Sequence, residues 1–127
     1  MSVLVQTLDR RGDAPRAARG CVREFLRGAR SAELVADVEV VVSELVTNAV
    51  LHGVGAIELR LELVDGGVTV GVLDGGRGRP RPPGTRDDDE GGRGLALVAG
   101  LTKDWGIRPS GTGGKEVWAV LPSLDGR

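Results

Sequence analysis

The sequence predicts an α/β fold: a two-layer α/β sandwich whose sheet is mixed, mainly antiparallel, with the helices on one face. Three observations carry this. Hydrophobic residues recur at helical 3/4 spacing up to Gly53 and then switch to strand-like alternation. The later strands are sequence neighbours joined by turn signals such as Asp65-Gly66-Gly67. The elements run β-α-α-β-β-loop-α-β-β, which lacks the regular strand–helix alternation of a doubly wound sheet. The 127 residues are the size of one compact domain, so 1–127 is read as a single unit.

Each element has its own signal. Val3 to Leu8 is apolar-rich and partly alternating, a strand. Asp13 before Ala14-Pro15 is an N-cap with proline in the first turn. Ala17, Ala18, Cys21, Val22, Phe25 and Leu26 then make an amphipathic helix to about Gly28. Ser31 caps a longer helix that carries Leu34, Val38, Val41, Val42, Leu45, Val46 and Ala49 and stops at Gly53. Ala56 to Leu63 alternates apolar and charged residues, as a half-buried strand does, and Val68 to Leu73 returns beside it. From Asp74 to Gly94 no core-forming period is found; the stretch holds seven glycines, three prolines and the acidic run Asp87 to Glu90. An irregular loop of that length in a small domain is functional or disordered. Gly94 to Leu101 reads as a short buried helix. Trp105 to Ile107 and Val117 to Leu121 are the last two strands, around a turn at Pro109 to Gly114.

Composition narrows the function classes. Apolar residues at 40% and charged residues at 28% suit a soluble globular chain with a core. Seventeen basic against 18 acidic residues leave no basic excess for direct nucleic-acid binding, and the only aromatics are Phe25, Trp105 and Trp118. One cysteine and one histidine exclude a disulfide framework and a structural zinc site. No apolar run is long enough for a membrane span, and no basic-then-apolar leader opens the chain, so the expected location is cytoplasmic.

Three segments could carry chemistry. On the long helix Glu44, Asn48 and His52 form an i, i+4, i+8 row, so a carboxylate and an amide project from one side of a mostly apolar helix. They line a cleft or form a polar stripe on an exposed face; His52 alone suits the helix end. Leu73-Asp74-Gly75-Gly76-Arg77-Gly78 ends a strand on an acid followed by glycines, which is an ordinary turn or a place where a ligand amine meets a carboxylate across close backbone. Glu90-Gly91-Gly92-Arg93-Gly94-Leu95 is a linker or a phosphate cradle of free N–H groups at a helix start. Other nucleotide signatures fail: Gly114-Lys115-Glu116 lacks the upstream glycine and the Ser/Thr of a P-loop, and it precedes a strand.

Together, in this order, the three segments resemble the boxes of the GHKL (Bergerat-fold, histidine-kinase-like) ATPases. Val42 to Gly53 is similar to the N box, Val72 to Gly78 to the first glycine box, and Gly92 to Val98 to the second. Within that superfamily, the single short domain and Ser43-Glu44-Leu45-Val46-Thr47-Asn48-Ala49-Val50 resemble the RsbW-like anti-sigma factor serine kinases, as does the tail Gly113 to Trp118.

The resemblance implies ATP and Mg²⁺ as cofactors. It implies Glu44 as the base that takes a proton from a substrate serine, and Asn48 as a ligand of Mg²⁺ on the phosphates. Asp74 would read the adenine amino group, with Gly76 and Gly78 allowing the approach. Gly92, Arg93, Gly94 and Leu95 would form the phosphate end, and a lid would lie between Gly75 and Gly91. The implied partners are a sigma factor and a STAS-domain anti-anti-sigma protein, in a homodimer with no direct contact to nucleic acid or membrane. The sequence departs from the family pattern twice. Glu116 stands where many members carry a threonine at the adenine end, and Glu90-Gly91 where an arginine meets the terminal phosphate. These departures keep a second reading open: an ATP-binding regulatory interaction module without phosphotransfer activity. A histidine-kinase catalytic domain is the third, with only His52 as phosphoacceptor.

Overall fold

A computed structural model of the chain describes residues 2–29, 31–65, 67–76, 90–111 and 113–122, with the side chains of 90–94 left aside. The elements are β1 (Ser2–Leu8), α1 (Ala14–Phe25), α2 (Ala32–His52), β2 (Ile57–Val64), β3 (Gly67–Asp74), α3 (Glu90–Leu101), β4 (Asp104–Pro109) and β5 (Lys115–Leu121). The sheet order is β1-β2-β3-β5-β4.

Every pairing in that sheet is antiparallel, so the mixed component that the sequence suggests is not found among the described residues. The reason lies in the connection through α3. It carries the chain from β3 to β4, which run parallel, but β5 inserts between them and pairs antiparallel with both.

Alternation gives the sheet two unlike faces. Leu59, Leu61, Val70, Val72, Val117 and Ala119 point inward and are buried, while Glu58, Arg60 and Glu62 lie on the other side. The helices cover the inner face only, and α2 is the central one, burying Leu34, Val38, Val41, Val42, Leu45, Val46 and Ala49. That stripe is what holds the molecule together, since each fully buried Leu or Val contributes about 1.5–3 kcal/mol of transfer free energy.

Helix ends follow local chemistry. The Ser31 hydroxyl accepts the Leu34 backbone N–H at 3.1 Å, as an N-cap should. Asp13 holds the corresponding position on α1 but makes no capping hydrogen bond; its carboxylate faces Arg11 at 3.9 Å instead. Helix α1 stops at Phe25, short of Gly28, which takes φ 89° in the turn that follows. Helix α3 starts at Glu90, four residues before Gly94, so the second glycine segment lies in the first turns of a helix and not in a loop ahead of one. It is also half-buried: Leu95 and Val98 pack inward while Leu97 is 45% exposed.

Among the described residues no helix is long and apolar enough to cross a membrane.

Candidate functional site

Asp74 closes β3 on the inner face, in step with Val70 and Val72, and it is the one buried charged residue among those described. Its side chain is 2% exposed. A carboxylate taken out of water needs donors. Oδ1 accepts the Gly76 backbone N–H at 2.6 Å and the Lys115 ammonium at 3.2 Å. Oδ2 accepts no hydrogen bond from any described residue.

Lys115 reaches this place through sheet register. It is the residue directly opposite Asp74 across β3 and β5, and its side chain is 12% exposed. Its ammonium has three donors, and Asp74 takes one. Glu116, the next residue, therefore faces the other side of the sheet, where its carboxylate meets Arg108 at 2.9 Å. Arg108 in turn lies over the Trp118 ring at 5.5 Å.

Glycines make the close packing possible. A Cβ on Gly53 would stand 2.7 Å from Cγ of Asp74, 2.8 Å from its Oδ2 and 2.6 Å from the Ala49 carbonyl. One on Gly76 would stand 2.9 Å from Asp74 Oδ1, and one on Gly114 would collide with the Asp74 carbonyl. Gly53 is also the C-cap of α2, in an extended conformation, with its N–H on the Ala49 carbonyl. The end of α2 is thereby seated against the carboxylate.

From that seat α2 leads away past Asn48 and Glu44. Both are half-buried and neither hydrogen-bonds a described residue. They leave from one side of the buried stripe. Glu39 and Ser43 leave from the other, where Arg23 and Arg19 of α1 bind them at 3.0 and 2.8 Å. Nine residues separate Glu44 from Gly53, about 13 Å of helix at 1.5 Å per residue. The site is elongated, with the buried Asp74 carboxylate at one end and the half-buried Glu44 carboxylate at the other.

A family model for the histidine kinase-like ATPase domain matches residues 10–121. The chain belongs to this family. In this histidine kinase-like ATPase, a 49-residue stretch is 41% identical to the anti-sigma F factor of Clostridium botulinum, in two strains. That match spans 35% of this chain and 34% of the relative. Among solved structures, the RsbU and RsbW domains of a Mycobacterium tuberculosis protein align with a TM-score of 0.72 and 30% identity, over 97% of this chain and 33% of that one. The histidine kinase domain of a blue-light-activated kinase from Erythrobacter litoralis aligns with a TM-score of 0.57 and 25% identity, over 88% of this chain and 60% of that one. The resemblance to the RsbW-like GHKL group drawn from the sequence therefore stands, as does the α/β sandwich.

The residues expected to form the ATPase site fall into four groups. Glu44 and Asn48 share one side of α2, and Asp74 and Gly76 lie at its C-terminal end. Gly92, Arg93 and Gly94 are in α3, where the backbone alone is described. Leu95 is 5% exposed and belongs to the hydrophobic core, so its side chain seats α3. Gly78 lies outside the described residues, together with most of the expected lid. The sequence marks Glu116 as a departure from the family's adenine-end threonine; register turns Glu116 to the outer face and sets Lys115, the residue before it, opposite Asp74. The signal was present, because the buried alternation Val117, Ala119, Leu121 extends backward to 115 and not to 116.

Proposed function

We propose that this chain is an ATP-binding anti-sigma factor and protein serine kinase, acting on a STAS-domain anti-anti-sigma protein, with 1–127 as one catalytic domain. The observation that carries the nucleotide reading is Asp74 Oδ2: a buried carboxylate oxygen with no donor among the described residues. An exocyclic amine supplies the missing donor, and adenine has one.

The residues present fit the cofactors. Asn48 offers one oxygen to Mg²⁺. Among the described residues no three metal-ligating side chains converge, so the remaining ligands would come from phosphate and water, as is usual for this ion. Bound there, Mg²⁺ neutralises phosphate charge. Glu44, about two and a half helical turns from Gly53 and on a rigid helix, accepts the proton of the attacking serine hydroxyl. The first turn of α3, whose N–H groups have no partner within a helix, would offer them to the phosphates.

The sigma factor comes from the anti-sigma F factor relatives, and the STAS protein from the family resemblance alone. The homodimer comes from the family resemblance, and the cytoplasmic location is the expectation drawn from the sequence. The test is direct. Calorimetry with ADP and Mg²⁺ should show binding that Asp74→Ala abolishes. Incubation with ATP and a STAS protein from the same genome should yield phosphoserine, lost in Glu44→Gln. Binding without phosphoserine on any candidate protein would establish the alternative, a regulatory module without transfer.

A further inference from the structure

We propose that Lys115 is a nucleobase-reading residue, donating to adenine N1 while Asp74 Oδ2 accepts from the adenine amino group. The inference rests on the adenine reading above and deepens it. Three facts carry it. Lys115 and Asp74 are direct cross-strand partners, and the ammonium is 3.2 Å from Oδ1. The lysine side chain is nearly buried, at 12% exposure, yet two of its three donors have no partner among the described residues. The neighbouring carboxylate is short of a donor at Oδ2. A half-satisfied buried ion pair is costly. Here the deficit has a definite form: one acceptor and one donor side by side.

Adenine presents the complement of that pair, an amine donor at N6 next to an acceptor at N1. Guanine presents the opposite order, an acceptor at O6 next to an N1–H donor. In the same orientation guanine would put donor against donor at Lys115 and acceptor against acceptor at Asp74. Specificity for adenine would thus come from two charged side chains fixed by strand register. The smaller role, in which Lys115 only neutralises Asp74, predicts that the ring nitrogen is irrelevant to binding.

Calorimetry of the full chain with ADP and 1-deaza-ADP separates the two. The second ligand keeps the amine and lacks the N1 acceptor. The wild-type protein should bind 1-deaza-ADP roughly tenfold to a hundredfold more weakly than ADP, the cost of an unsatisfied buried donor. Lys115→Met should bind both equally, near the weaker value. Equal affinity of the wild type for both ligands overturns the proposal, as does discrimination that survives in Lys115→Met. The wild-type comparison needs no variant, so it decides even if Lys115→Met does not fold. ADP binding that depends on Asp74 but ignores N1 sinks the role of Lys115 alone. Absence of ADP binding sinks the adenine reading with it.

Discussion

The two ends of the site are built by different means. At the sheet end, Asp74 and Lys115 are set by register between β3 and β5, almost excluded from water, and walled by Gly53, Gly76 and Gly114. At the helix end, Glu44 and Asn48 stand half-exposed on α2 without a hydrogen-bond partner among the described residues. The sheet end is part of the core and can be changed only at a cost in stability. The helix end is mounted on the core and, on the proposed reading, carries the chemistry, so it can be changed with the fold intact. On the proposed reading, base binding is a packing problem and phosphoryl transfer a positioning problem.

Removing Asp74 should have the largest effect. Asp74→Ala strands the Lys115 ammonium and the Gly76 N–H, and loss of one partner of a buried pair costs about 3–5 kcal/mol. Urea denaturation should show that loss. An unchanged midpoint would mean that the sheet end is not structural. Gly53→Ala comes next. Its methyl group would press on the Ala49 carbonyl and the Asp74 carboxylate together, and overpacking of this kind costs about 1–3 kcal/mol. ADP affinity should fall with it, because α2 can no longer close against Asp74.

The helix end should behave in the opposite way. Glu44→Gln and Asn48→Ala should stay within about 0.5 kcal/mol of the wild type in stability, as partially exposed positions do. Asn48→Ala should weaken nucleotide binding in Mg²⁺ and leave binding in EDTA unchanged, whereas Glu44→Gln should bind normally and transfer nothing. If either variant unfolds readily, the contrast between the two ends fails.

The smallest effect is expected on α1, away from both. Burial pushes the Cys21 thiol up, so little thiolate is present at neutral pH and alkylation of the native chain should be slow, rising with pH. ADP should not alter that rate, whereas Asp74→Ala should raise it by populating open states.

How much of this the sequence discloses differs between the ends. The N-box row is legible because helical spacing alone places Glu44 and Asn48 on one side, and the apolar stripe of α2 says which side is buried. Ser31 and Gly53 are legible as helix ends because capping is local. Asp74 is legible as a strand end, but its burial and its partner are not, since they depend on which strand lies beside β3. Nothing local reveals that β5 inserts between β3 and β4. That insertion leaves the sheet wholly antiparallel although β3 and β4 run parallel, and it brings Lys115 opposite Asp74. Glycine density at 90–94 argues for a loop, yet those residues are helical, anchored by Leu95 and Val98 in the core; tertiary packing outweighs propensity there.

The insertion of β5 also sets an order of events. Of the five described strands it is the last to emerge from the ribosome, yet it occupies an interior place in the sheet. Until it arrives, β3 exposes an unpaired edge and Asp74 has no lysine across from it. A nascent chain therefore cannot offer a finished base pocket, and the open edge is a hazard for mispairing during that interval. On the proposed reading, recognition of nucleotide becomes possible only once β5 has joined the sheet.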